Sequence, residues 1–221
     1  MVMKSILIAV GGFTVLALGF AFTRQGATNT HNTKPKTGVI AQKEGTKLDH
    51  RKAALAKGHD VAVFAAGCFW GVESDFRSVP GVVATAVGFA GGHTPNVSYK
   101  DVCNGDTGHA EVVIVEFDPK KVKYEYLVRV FFENHDPTTL NSQGPDFGEQ
   151  YRSAIFYFDD AQKAAAAKVK DELTAKKKFR NPIVTQIVQV GPIWMAEEYH
   201  QQYYEKKGIF HNACRLPGGG G

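Results

Sequence analysis

An alternation of two hydrophobic periodicities, beginning at Val61, constrains the fold more than any other feature. VAVFAAG (Val61–Gly67) is a short apolar run closed by a glycine, the pattern of a buried strand. It passes directly into CFWGVESDFRSVP, where Phe69, Val72, Glu73 and Phe76 recur at helical spacing until Pro80 ends the segment. VVATAVGFAGG reads as a strand running into a glycine turn, and NVSYKDVCNGDTGH as loop. AEVVIVEFDP alternates as a strand that stops at Asp118–Pro119. YEYLVRVFFENHD is an amphipathic helix with Leu127, Val128, Phe131 and Phe132 inward. SAIFYF is a strand, and DDAQKAAAAKVKDELTAKKK a helix with an Asp cap. IVTQIVQVGP is a further strand, and AEEYHQQYYEKKG a helix closed by Gly208. This interleaving predicts an α+β fold, a two-layer sandwich in which helices pack on a mixed sheet.

The chain has 221 residues and is 43% hydrophobic and 22% charged, which suits one domain with a sizeable core. The net charge of +4 is a mild excess. Part of it lies in TAKKKFR (Thr174–Arg180), which reads as a solvated face, so no nucleic-acid partner is expected. Three cysteines, Cys68, Cys103 and Cys214, with no C-x-x-C, exclude a disulfide scaffold, a zinc ribbon and a thioredoxin-type pair. His109, His135 and His200 match no compact ligand spacing and read as core or hydrogen-bonding residues, so no metal is expected.

Ahead of the domain, MVMK precedes an apolar run from Ile6 to Phe22 broken only by Thr14 and glycines. Residues 1–23 read as a signal peptide or membrane anchor, with residues 4–22 as the tether if uncleaved. Export, to the periplasm or to an outward-facing membrane-anchored position, is the expected location, with the cytoplasm as the alternative. Residues 24–58 are rich in Thr, Asn, Lys and Gly and read as a flexible linker, with a short helix at Asp49–Lys57. The folded domain is placed at 59–214 and a disordered tail at 215–221. A monomer is expected.

Cys68 follows a strand and a glycine and opens a helix, where first-turn N–H groups and the helix dipole favour thiolate over thiol. By position alone it is either a nucleophile or a small buried hydrophobe. Phe69 and Trp70 follow at once, and either could wall a pocket beside the sulfur or pack a core at a helix start.

GCFWG resembles the active-site signature of the peptide methionine sulfoxide reductases of the A type. The GYxGG common in that family stands here as GFAGG (Gly88–Gly92). TPNVSYKDVCNGDTGHAE, FFENHDPTT, QGPDFGEQYRSAIFY and AEEYHQQY also match in order, so the likeness spans about Val61 to Cys214. The resemblance implies a ferredoxin-like core and a reductase domain over 59–214. It implies thiol-dependent reduction of methionine S-sulfoxide, free or in proteins, as repair of oxidised proteins. Cys68 is then the nucleophile, and Glu111 the acid, which needs burial to hold a proton near neutral pH. Tyr99 and Tyr151 bond the sulfoxide oxygen, Asp146 is a hydrogen-bonded carboxylate of the site, and Phe69 and Trp70 cup the methyl group. The resemblance makes Cys214 the resolving cysteine in preference to Cys103. No bound cofactor is implied; thioredoxin or an equivalent dithiol, or dithiothreitol in vitro, supplies electrons. Two other classes fit the residues less well: a cysteine hydrolase pairing Cys68 with His109 or His135, and a membrane-tethered module that binds a peptide without catalysis.

Overall fold

The structure is a computed structural model that describes residues 37–40 and 50–208. The segment read as signal or anchor, the tail at 215–221 and Cys214 lie outside the described residues. In chain order the elements are β1 (Gly38–Val39), α1 (Arg51–Ala56), β2 (Asp60–Ala66), α2 (Phe69–Arg77), β3 (Val82–Ala90), α3 (Tyr99–Asn104), β4 (Ala110–Phe117) and α4 (Tyr124–Glu133). There follow β5 (Ser142–Gln143), β6 (Asp146–Phe147), β7 (Ser153–Tyr157), α5 (Asp160–Ala175), β8 (Gln186–Gln189), β9 (Ile193–Met195) and α6 (Tyr203–Lys206). Single 3₁₀ turns stand at Glu149–Tyr151 and Glu198–His200.

The main sheet has the order β1-β3-β4-β2-β7-β8, with β9 also pairing with β3. The stretch β2-α2-β3-β4-α4-β7 is a βαββαβ unit whose strands stand in the order β3-β4-β2-β7, every neighbour antiparallel. This is the ferredoxin-like arrangement expected of the chain. The parallel pairings of β1 on β3 and of β8 on β7 make the sheet mixed. β1 meets β3 at Ala84–Thr85 and β9 meets it at Gly88–Ala90, so both share the one edge of β3 that β4 leaves open.

The sheet is buried on both faces. Ala62, Phe64 and Ala66 of β2 join Phe76 of α2, Leu127 and Phe131 of α4, and Ala166 and Val169 of α5. Phe64 stacks on Phe76 at 4.8 Å and on Phe131 at 5.4 Å. Each such ring contributes roughly 2–3 kcal/mol by burial. On the opposite face Val61, Val63 and Ala65 meet Ile40, Ala54 of α1, Ile114, Phe156 and Ile193. All residues of β4 are buried. The alternation in AEVVIVEF therefore separates two buried faces rather than core from solvent. Glu111 projects on the α2 face with Val113 and Val115, while Glu116 projects on the other, where His59 and His50 clasp it at 2.7 and 2.5 Å. Burial works to raise the Glu116 carboxyl, but these two contacts hold it below the usual range.

The helices expected at Phe69–Phe76, over YEYLVRVFFENHD and after Asp159 are present. Leu127, Val128, Phe131 and Phe132 are buried as the periodicity requires, and Asp159 caps α5 by accepting from the Gln162 N–H at 2.9 Å. Four readings need correction. First, α3 forms within the segment read as loop, because Ser98 and Asp101 build a reciprocal capping box and Val102 is buried. Second, AEEYHQQYYEKKG is not one helix. Gln202 lies at φ +50, and its backbone and side-chain N–H groups both bond the buried Glu73 carboxylate, which breaks the run into a 3₁₀ turn and α6. Third, β9 was not read at all, being too short for a periodicity. Fourth, β1 falls inside 24–58, so this stretch is not linker throughout, while the short helix expected at Asp49–Lys57 is present as α1. Arg77 secures β1 by donating to the carbonyls of Thr37 and Gly38 at 2.7 and 2.8 Å, and it also pairs with Glu205 of α6.

Candidate active site

β2 delivers its chain to α2 through Gly67, at φ +91 in the left-handed region. A Cβ at Gly67 would meet Gln143 Cγ at 2.6 Å. Gln143 cannot easily yield, since its amide bonds the backbone N–H and carbonyl of Asp136 at 3.2 and 3.1 Å. Gly67→Ala is therefore expected to lower stability by about 1–3 kcal/mol in urea unfolding, and turnover with it, because the strain falls on the residue before Cys68.

Cys68 is the N-cap of α2, half-buried, with the Trp70 and Gly71 N–H groups directed at its sulfur. The expectation that the helix start favours thiolate is corrected here. Burial, with the charges of Glu111 and Asp146, pushes the thiol up to about 12 against the pull of those two N–H groups. Lost hydration and two nearby carboxylates outweigh one helix end.

Glu111 is the second residue of β4 and is 1% exposed; its Oε2 accepts the Phe69 N–H at 2.9 Å. Burial pushes its carboxyl up to about 8, with Asp146 adding to the rise and the Phe69 N–H opposing it. At neutral pH the acid therefore carries a proton, and its repulsion of a Cys68 thiolate is correspondingly relieved.

Tyr99 opens α3 and Tyr151 closes a 3₁₀ turn. Burial, then the Glu111 and Asp146 charges, push the Tyr151 hydroxyl up to about 12. Burial also raises Tyr99, whose hydroxyl is directed at Cys103 one helical turn on. Both hydroxyls remain protonated donors. Asp146, on β6, acts electrostatically on Cys68, Glu111 and Tyr151. Cys103 is exposed on α3, close enough for the Glu111 charge to act on it. Cys214 lies outside the described residues.

The two adjacent aromatics diverge. Phe69 is 1% exposed and packs against Phe89, Tyr99 and His200. Trp70 is half-buried, stacked on Tyr203 at 4.0 Å, with its indole N–H donated to His200 Nδ1 at 3.0 Å. Neither histidine considered for a hydrolase is free for Cys68. His109 accepts from the Gly92 N–H and bonds the Thr94 carbonyl; His135 bonds the Phe131 carbonyl and the Ser153 hydroxyl.

Reading the sequence for site residues passed over Gln143, Glu197 and Tyr203, and took His200 only as a core or hydrogen-bonding residue. The one local signal was the density of aromatic and amide side chains in EEYHQQYY.

The arrangement matches known proteins. The family model described as peptide methionine sulfoxide reductase matches residues 60–216. A peptide methionine sulfoxide reductase MsrA of Methanosarcina acetivorans is 59% identical over 159 residues, covering 72% of this chain and 85% of that protein. One from Methanoculleus marisnigri is 57% identical over 155 residues, covering 70% and 94%. Among solved structures, Mxr1 from Saccharomyces cerevisiae in reduced form aligns with TM-score 0.65 at 42% identity, covering 72% of this chain and 90% of its own. Methionine sulfoxide reductase A of Corynebacterium diphtheriae aligns with TM-score 0.62 at 39% identity, covering 71% and 78%.

Proposed function

Because the chain belongs to the peptide methionine sulfoxide reductase family and is an oxidoreductase of that kind, we propose that it reduces the S epimer of methionine sulfoxide through Cys68, with Glu111 as proton donor. The observation that carries this reading is the pairing of a thiol at the start of α2 with a buried carboxyl raised to about 8. A sulfoxide oxygen is a weak base and a poor leaving group, so attack at its sulfur needs a proton at the oxygen. Glu111 supplies that proton, and Tyr99 and Tyr151 add hydroxyl donors. Cys68 sulfur then bonds to the sulfoxide sulfur while its own proton passes to the Glu111 carboxylate, and the hydroxyl transfers from that sulfur to Cys68 as the new S–S bond and the old S–O bond break. The products are methionine thioether and Cys68 sulfenic acid, with Glu111 reprotonated. Trp70 and the Phe69 edge wall the methyl group.

Sulfenic acid condenses with a second thiol, releasing water and forming a disulfide. Cys214 is the proposed partner, and thioredoxin or an equivalent dithiol then returns both sulfurs to thiols while becoming a disulfide itself. The test uses separated S and R epimers of a methionine sulfoxide peptide. The intact protein is expected to turn over only the S epimer with dithiothreitol or thioredoxin. Cys214→Ser is expected to form one equivalent of methionine per Cys68 and then stall with thioredoxin. Turnover of the R epimer alone sinks the reading, and normal thioredoxin cycling by Cys214→Ser sinks the resolving role.

A further inference from the structure

His200 is 1% exposed and sits among the rings of Phe69, Trp70, Tyr99 and Tyr199, at centroid distances of 5.2, 5.7, 4.3 and 4.0 Å. Its Nδ1 accepts the Trp70 indole N–H at 3.0 Å. A neutral imidazole that accepts at Nδ1 carries its proton at Nε2, so the hydrogen-bond network assigns the tautomer. That Nε2 is buried and has no hydrogen-bond partner among the described residues. Its nearest anion is Glu197, whose Oε2 lies 4.0 Å away. The same carboxylate accepts the backbone N–H of Tyr99 at 3.0 and 3.3 Å. A buried N–H without a partner is costly, which marks this atom as more than packing. The ring stands between two side chains that the proposed reaction uses from opposite sides, Trp70 at the methyl pocket and Tyr99 at the oxygen.

We infer that His200 is the positioning residue of the sulfoxide pocket, holding the Trp70 indole through Nδ1 while its Nε2–H stands 4.0 Å from Glu197, the carboxylate that holds the start of α3 carrying Tyr99. The inference rests on the proposed reductase chemistry of Cys68 and Glu111. Burial drives the ring down to about 4, so it stays neutral through the physiological range and Nδ1 remains an acceptor. Among the described residues, the carboxylate facing it is that of Glu197. The role is one of orientation: Trp70 is only half-buried, and without the Nδ1 bond its indole could turn about its side-chain torsions.

The experiment uses Trp194→Phe as background, which leaves Trp70 as the one tryptophan of the chain. His200→Phe keeps a ring but loses the Nδ1 hydrogen bond to Trp70; His200→Asn keeps a short side-chain acceptor. With an S-sulfoxide peptide and saturating dithiothreitol, His200→Phe is expected to raise KM about tenfold while kcat changes less than about threefold. Trp70 emission should shift to the red as the indole N–H is released to water. His200→Asn should recover most of the KM and of the emission. An unchanged KM and emission in His200→Phe overturns the inference, as does an equal KM rise in both variants with unchanged emission. Should His200→Phe fail to fold, the cycle of Trp70→Phe, His200→Asn and the double variant decides. Sub-additive losses support the link and additive losses refute it. Absence of sulfoxide turnover in the background protein would count against the reductase chemistry alone, because the Trp70 emission still reports on the His200 bond.

Discussion

Cys68→Ser is expected to abolish methionine sulfoxide reduction with every dithiol while leaving the fold intact. The hydroxyl is close in shape to the thiol and suits an N-cap position well, so thermal unfolding should stay near that of the parent. The chemistry cannot survive. Oxygen transfer to sulfur yields a sulfenic acid, whereas transfer to a serine oxygen would require a peroxide bond. Turnover is therefore expected to fall to the buffer rate, and residual activity above it in purified Cys68→Ser would remove Cys68 from its proposed role. A companion measurement tests the state of the thiol. Burial and the carboxylates of Glu111 and Asp146 push it up to about 12. Its alkylation in the free protein should therefore rise with pH well beyond the range of an ordinary cysteine. A midpoint below about 7 would show a preformed thiolate and would mean that the helix end wins after all.

The second large effect concerns Glu111→Gln. Removing the proton donor is expected to slow the reduction step about 10²- to 10⁴-fold in single-turnover assays. In the parent protein that step should slow as pH rises through about 8, where Glu111 loses its proton. The variant should lack this dependence. Stability should move the other way. The carboxyl titrates at an ordinary 4.5 when unfolded and at about 8 when folded, so the folded state binds the proton more tightly. Its contribution is complete below about 4.5 and is lost as pH rises through about 8. Glutamine has no proton to lose and can still accept from the Phe69 N–H. Glu111→Gln is thus expected to match the parent near pH 4.5 and exceed it by about 3–5 kcal/mol near pH 8.5, in denaturant titrations at both pH values. Equal stability at the two pH values would mean that Glu111 is not held protonated by burial. The pair of results describes a site that sacrifices stability for a usable proton.

The elements nearest the chemistry were legible because their signals are local. VAVFAAG followed by CFWGVESDF specifies a strand, a left-handed glycine and a helix within one short stretch, and the structure has β2, Gly67 and α2 there. The inward face of α4 and the Asp159 cap also need only residues a turn apart. Segments whose form depends on remote partners were misread. α3 carries a local capping box at Ser98 and Asp101 but is held by the burial of Val102 in the core, and the break at Gln202 is imposed by Glu73, far back in the chain. β1 exists because Arg77 and the open edge of β3 receive it.

The sequence by itself determined the order of elements, the placing of Cys68 at a strand-to-helix junction, and, through its ordered motifs, the family. Those features depend on neighbouring residues and on short patterns that survive without three-dimensional context. Only the tertiary structure decided that the sheet is buried on both faces, that Glu111 and Glu116 part to opposite sides of it, and that Phe69 turns inward while Trp70 stays half-open. It alone decided the protonation of the site as well. Whether Cys68 and Glu111 hold their protons depends on how much water the fold removes and on which charges it brings near, and those are sums over residues distant in the chain.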